Sequence, residues 1–235
     1  IFRADASGAL ADTLAAIGKT VKTGWIAVAG QNAADGAALA AWVKAQDNTR
    51  KKTYKAVCYN LATAPDDMHV VNYVNESVTY TDDRGTQDGV TYLPSLLAIF
   101  AVCNVTRGCT NYECSNLSEV VEVDDNDAAL GTGKFILFNG EDNTVRIAQG
   151  INSMTTTDGK TRTEDMKFIE TVEAMDMMRD DITAVFRGTY LGNYRNTRDN
   201  QMLLLSSLNM SYFRQLMQQN ILDPDFTNAA RIDVD

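Results

Sequence analysis

The chain has 235 residues, 45% of them hydrophobic, and carries 31 acidic against 21 basic side chains for a net charge of −10. That is enough apolar material for one large or two small cores, and too much for an intrinsically disordered chain. The acidic balance argues against non-specific nucleic-acid binding, which needs clustered Lys and Arg, and no apolar run approaches the roughly 18 residues of a membrane-spanning helix.

In chain order, Leu10, Leu14 and Ile17 mark a first helix, left through Gly18 and Gly24. Trp25–Ala29 reads as a short buried strand ended by Gly30. Asp35 can cap a second helix carrying Leu39, Trp42 and Val43. Strands are expected at Tyr54–Tyr59, around Val70, Val71 and Val74, and at Ser77–Tyr80. Pro94 suits the first turn of a helix filled by Leu96, Leu97, Ile99, Phe100 and Val102. From Tyr112 the pattern is strand-like again, and a short acid-capped helix over 124–130 stops at Gly131.

The stretch from Lys134 to Arg195 organises the second half. Phe135–Phe138 and Val145–Ile147, separated by the turn chemistry of Asn139–Asn143, predict a β-hairpin. Thr161 and Glu164 have capping-box spacing, which predicts a helix start there. Phe168, Ile169, Val172, Met175, Met178, Ile182, Val185 and Phe186 then form one apolar stripe of a long helix. Gly192 and Asn193 interrupt it, and a last helix runs from about Arg198 to Asn220 and Pro224. The fold class is α/β (α+β): a layered sheet-and-helix lobe over 1–121, then a lobe over 122–235 with a β-hairpin and two long helices.

No stretch supplies a recognisable chemistry. Gly131-Thr-Gly-Lys134 lacks the earlier Gly and the following Ser or Thr of a phosphate loop and leads into a strand. Gly30 to Gly36 lies where a dinucleotide loop would sit, but its glycines are misplaced for the fingerprint. Ser153, His69 and an Asp lack a nucleophile elbow. Asp124, Asp125 and Asp127 lack the Gly and Glu of a calcium loop, and helix capping accounts for them. Met175, Met177, Met178, Met202, Met210 and Met217 are read as core filler, with an adaptable interface as the alternative. Cys58, Cys103, Cys109 and Cys114 fit neither a zinc ribbon nor a CxxC pair, and His69 is the one histidine. They read as free, buried thiols of an intracellular protein, with one disulfide among the last three as the alternative. No catalytic, cofactor-binding or metal-ligating residue is assigned.

Four stretches nevertheless carry a resemblance. Ala37–Lys44 with Lys51–Val57, Tyr92–Val102 with Thr106 and Arg107, Asp127–Asn139 with Gly131 and Lys134, and Gln149-Gly-Ile-Asn-Ser-Met-Thr-Thr156 occur in this order. Together they resemble contractile-tail sheath proteins of phages and phage-like particles, the kind found in prophages of Gram-positive bacteria. The last motif, Gly-Ile-Asn-Ser-Leu-Thr-Thr in the family, is the most specific. The family's N-terminal arm, first domain and last segment have no counterpart in the sequence, which begins at Ile1 rather than Met and is expected to be a piece of a longer protein.

The resemblance implies a non-enzymatic structural subunit of a virion, assembled in the host bacterial cytoplasm. It would polymerise around a tail tube and contract to drive that tube through a cell envelope. The implied partners are copies of itself, the tube protein and a baseplate, with no nucleic acid, no membrane insertion and no cofactor. Arg231, Ile232 and Val234 alternate as in a strand, and the resemblance implies a subunit interface there. The 235-residue chain alone is then expected to be monomeric. The alternative is a small-molecule-binding α/β enzyme using the loops that carry Gln31, Asn32 and Asp35, and Asn60 and Thr63.

Overall fold

The computed structural model describes residues 9–50, 52–103, 105–227 and 229–231. They divide into two compact units, Ile1–Val172 and Glu173–Asp235.

The first unit is built on an all-parallel sheet in the order β1 (Thr23–Ile26), β2 (Thr53–Tyr59), β3 (Val70–Tyr73), β7 (Lys134–Phe135). Its central strand β2 is buried along nearly its whole length, because both sheet faces are covered. Alternation along β2 sorts the side chains. Tyr54, Ala56 and Cys58 join Leu14 of α1 (Leu10–Thr20) and Leu39 and Val43 of α2 (Ala33–Arg50) in one cluster. Val57 joins Val71, Tyr73, Phe100 and Phe135 in the other, which includes Leu93 and Leu96 of α3 (Leu93–Val102). Each buried Val, Leu or Phe among them contributes about 1.5–3 kcal/mol. α2 is capped by Asn32, whose Oδ1 accepts from the Asp35 amide at 2.9 Å, so Asp35 is inside the helix and not its cap.

Two smaller sheets extend this core. β4 (Ser77–Tyr80) pairs antiparallel with β5 (Thr86–Asp88) and with β6 (Leu117–Val120). β8 (Leu137–Asn139) and β9 (Val145–Ile147) form the expected hairpin. The run Phe135–Phe138 serves two sheets, since Phe135 pairs with Tyr73 of β3 while Leu137 pairs with Ile147. Asn75, fully buried, ties them together: its Nδ2 donates to the carbonyls of Val121 and Leu137, and its Oδ1 accepts from the Leu137 amide at 2.7 Å.

The expected division at 121/122 therefore cuts through a shared core. Leu137, Val145, Ile147 and Ile169 lie in the same cluster as Tyr73 and Leu96, and the boundary falls at 172/173 instead. The helix start also differs. The Thr161 hydroxyl donates to Asp158, and Asp158 Oδ1 accepts from the amides of Lys160, Thr161 and Arg162. No capping box forms. A 3-10 turn over Glu164–Lys167 precedes α5 (Ile169–Val185).

The second unit comprises the rest of α5, a π-helical turn at Phe186–Tyr190, α6 (Arg198–Ser207), a second π-helical turn at Leu208–Tyr212, and α7 (Phe213–Gln218). The last helix is thus interrupted. Thr197 caps α6, and Asn220 at φ 56° ends the helical run.

Candidate functional site

The Gln149–Thr156 motif is a seam that knits three parts of the first unit. The Gly150 amide donates to Thr110 Oγ1 at 3.0 Å, and its carbonyl accepts from the Ile169 amide at 2.9 Å. A Cβ on Gly150 would lie 2.7 Å from the sulfur of buried Cys109, so a side chain there would have to displace that thiol. Asn152 is buried; its amide and its Nδ2 donate to the carbonyls of Lys167 and Met166, and its Oδ1 accepts from the Met154 amide. The Ser153 amide donates to the carbonyl of Val70 at the start of β3. Asp66 Oδ1 accepts from the amides of Thr155 and Thr156 and from Arg162 Nη2 at 3.0 Å. Burial opposes ionisation of Asp66, but these donors outweigh it and hold the carboxyl well below its usual range. The seam fixes residues 150–169 on the sheet and thereby seats the first turn of α5, where Ile169 and Val172 are buried.

Beyond Val172 the predicted stripe leaves the core. Met175, Met178 and Ile182 are half-buried, and Val185 and Phe186 are exposed. The methionines are not core filler either: Met175, Met177, Met178 and Met217 are half-buried, and Met202 and Met210 are exposed. Leu191 at 63%, Met210 at 57% and Leu203 at 52% exposure are further exposed apolar side chains of the second unit. Each π-helical turn holds one such residue, Phe186 and Met210. Such turns are rare and cluster at functional positions. Tyr212 donates to Asp181 at 2.7 Å; burial, then this bond, push its phenol up.

The chain end folds back on the same unit. Asn209, in the second π-helical turn, clasps the backbone of Ala230: its Nδ2 donates to the carbonyl and its Oδ1 accepts from the amide at 2.8 Å. Phe226 packs edge-on against Phe213 at 5.6 Å between ring centroids. Arg231 is exposed, while Ile232, Val234 and the rest of the expected strand lie outside the described residues. Sequence reasoning missed Asn209, whose signal would have been a lone Asn amid helix formers.

The other sequence candidates are occupied by structural tasks. Gln31 turns inward, and its Oε1 accepts from the Tyr59 amide at 2.5 Å; Asn32 Nδ2 donates to Asp35 at 2.7 Å. Asn60, at φ 44°, bonds through its amide to the Tyr73 carbonyl, and Thr63 is exposed. Gly133, at φ 71°, packs on the Ser153 carbonyl, where a Cβ would sit 2.8 Å away, so the segment after β9 fills the space a phosphate would need. The structure does bring Ser153, Asp67 and His69 together. The Ser153 hydroxyl donates to the Asp67 carbonyl at 3.0 Å, and His69 Nδ1 lies 3.7 Å from Asp67 Oδ1. Ser153 is fully buried with its proton engaged by the main chain, which is not the geometry of an activated nucleophile. Asp125 caps α4 (Asn126–Gly131) by accepting from the Ala128 amide. No cluster of metal-ligating side chains occurs among the described residues, and no described helix is long and apolar enough to cross a membrane. All four cysteines are buried thiols, and burial pushes Cys58 and Cys109 up to about 12 and Cys114 to about 11.

No curated protein matches the chain by sequence. Residues 161–235 match the family model of the phage tail sheath C-terminal domain. The fold is similar to that of a sheath tail protein from Desulfitobacterium hafniense, with a TM-score of 0.78 at 22% identity over 88% of this chain and 48% of that one. A sheath tail protein from Listeria innocua gives 0.75 at 18% identity over 89% and 49%. The helical sheath of the anti-feeding prophage in its contracted state gives 0.67 at 15% identity over 93% and 61%. The chain spans about half the length of the first two. Residues 161–235 are thus similar to the phage tail sheath C-terminal domain, and the chain shares the mixed α/β fold of these sheath tail proteins.

Proposed function

We propose that the chain is the core and C-terminal part of a structural subunit of a contractile tail sheath. Many copies polymerise around a tail tube and contract to drive the tube through a cell envelope. The observation that carries the reading is the match of residues 161–235 to the sheath C-terminal domain, joined to a fold shared over nearly nine-tenths of the chain. The site supports it physically. A contractile lattice needs modules that move as bodies and contacts that survive the movement. The Gln149–Thr156 seam makes the first unit such a body. The partners are copies of itself, the tube protein and a baseplate, in a virion assembled in the host bacterial cytoplasm, with no catalytic step and no cofactor.

Residues Arg231, Ile232 and Val234 join the neighbour as an added strand. Backbone hydrogen bonds then give affinity, alternating side chains give register, and the linker absorbs rotation. The Asn209 clasp on Ala230 anchors the chain immediately before Arg231. Negative-stain electron microscopy of the whole-length protein tests the reading. Tubular polymers are expected, and truncation before Arg231 should abolish them. Discrete particles at every concentration would overturn the proposal.

A further inference from the structure

Residues 186–215 differ chemically from the rest of this acidic chain. They hold four arginines, Arg187, Arg195, Arg198 and Arg214, against a single acid, Asp199. All four are exposed, and none is in an ion pair among the described residues. They stand among the exposed Leu191, Leu203 and Met210. Arg198 and Met202 lie four apart along α6, and so do Met210 and Arg214 further on, which puts arginine beside apolar side chains on the helix surface. A mix of arginine, aromatic and methionine is what protein interfaces favour, and guanidinium sheds its water more readily than ammonium.

The first unit carries the complement. From Gly108 to Gly133 the chain has six acids and no Lys or Arg. Within that stretch Glu119, Asp124 and Asp127 are exposed and form no ion pair among the described residues. Val121, at 50% exposure, lies between them.

We propose that the arginine-and-apolar surface of residues 186–215 docks onto the acidic surface around Val121, residues 119–127, of a second copy of this chain. The inference rests on the sheath reading for the presence of many copies; charge and apolar complementarity select which surfaces meet. Because the two patches differ, the contact is heterologous and leaves a free patch at each end, so it propagates instead of closing into a dimer. One such contact is weak in isolation and gains strength from repetition in a lattice.

Static light scattering of the 235-residue chain gives a test of sign. A protein of net charge −10 without complementary patches repels itself more strongly as salt falls. The proposal expects the opposite, a second virial coefficient that turns negative at low salt. Arg195→Glu with Arg198→Glu should make it positive, and so should Asp124→Lys with Asp127→Lys, although the lysine pair makes the chain less negative. An equimolar mixture of the two variants should turn negative again, because each supplies the surface the other lost. Circular dichroism checks folding, and Arg187→Glu with Arg214→Glu serves as a second reversal pair. Repulsion in the parent at all salt concentrations overturns the proposal. So does attraction that survives either reversal, or a mixture that still repels. If the parent only repels while the arginine variant abolishes tubes of the whole-length protein, the occupant is another chain and the proposal fails. Tubular polymers can form through other surfaces in that case, so the sheath reading is judged separately by microscopy.

Discussion

Asn152→Ala removes the side chain at the centre of the seam. Asn152 is buried, and the substitution deletes two hydrogen bonds, from Nδ2 to the Met166 carbonyl at 2.7 Å and to Oδ1 from the Met154 amide at 2.9 Å. A typical intramolecular hydrogen bond contributes about 0.5–1.5 kcal/mol net, and a buried group left without a partner costs about 1–3 kcal/mol. Met154 is itself buried, so its amide is stranded, while the Met166 carbonyl lies nearer solvent. The expected loss is about 2–4 kcal/mol, which for a unit of this size lowers Tm by about 5–15 °C. Calorimetry of parent and variant measures it, with the exposed Lys160→Ala as control. Hydrogen exchange at Ile169 should quicken at the same time, because its amide bonds to the Gly150 carbonyl in the same seam. A variant melting within about 2 °C of the parent would refute the reasoning that this motif is a structural seam.

Three further outcomes are expected. Val172→Asp, at a buried position, should destabilise by several kcal/mol because the carboxylate must be desolvated without a partner; Ile182→Asp, half-exposed, should cost clearly less, and equal melting curves for the two would show that the stripe does not leave the core after Val172. The Asp66 carboxyl titrates below its unfolded value, so its contribution is present above that value and is lost as pH falls through the folded one; denaturant midpoints between about pH 5 and pH 2 should fall more steeply for the parent than for Asp66→Asn, and parallel profiles would contradict the latch. The four thiols should resist a thiol reagent in the native state, where burial keeps them protonated, and count as four once unfolded without reductant; a count of two would reveal a disulfide.

Much of the fold is legible because its signals are local. β2 reads as a strand since the run from Tyr54 to Tyr59, broken only by Lys55, follows two lysines, and α3 is announced by Pro94 ahead of a dense apolar stretch. What is not legible depends on competition or on distance. Thr161 and Glu164 have the right spacing for a cap, but Asp158 takes the Thr161 hydroxyl and three successive amides, so the chain turns there and the helix waits until Ile169. The division at 121/122 fails because one apolar run, Phe135–Phe138, is shared between a parallel sheet and a hairpin, a partnership no local pattern encodes. The exposed apolar side chains of the second unit were hidden for a related reason. The periodicity of Val172, Ile182 and Phe186 is the same whether a side chain meets its own core or another chain, and only burial separates Val172 from Phe186. The Asn209 clasp joins residues 21 apart through a single side chain, which leaves no periodic trace.

Cryo-electron microscopy of the tailed particle, in its extended and contracted forms, tests the central claim most directly. The account predicts that residues 9–172 fit as one unchanged body into the wall of a helical sheath in both forms, with density beyond Arg231 running as a strand into the neighbouring subunit. A sheath wall built from a different chain, or this chain found as a single copy outside the wall, would contradict it.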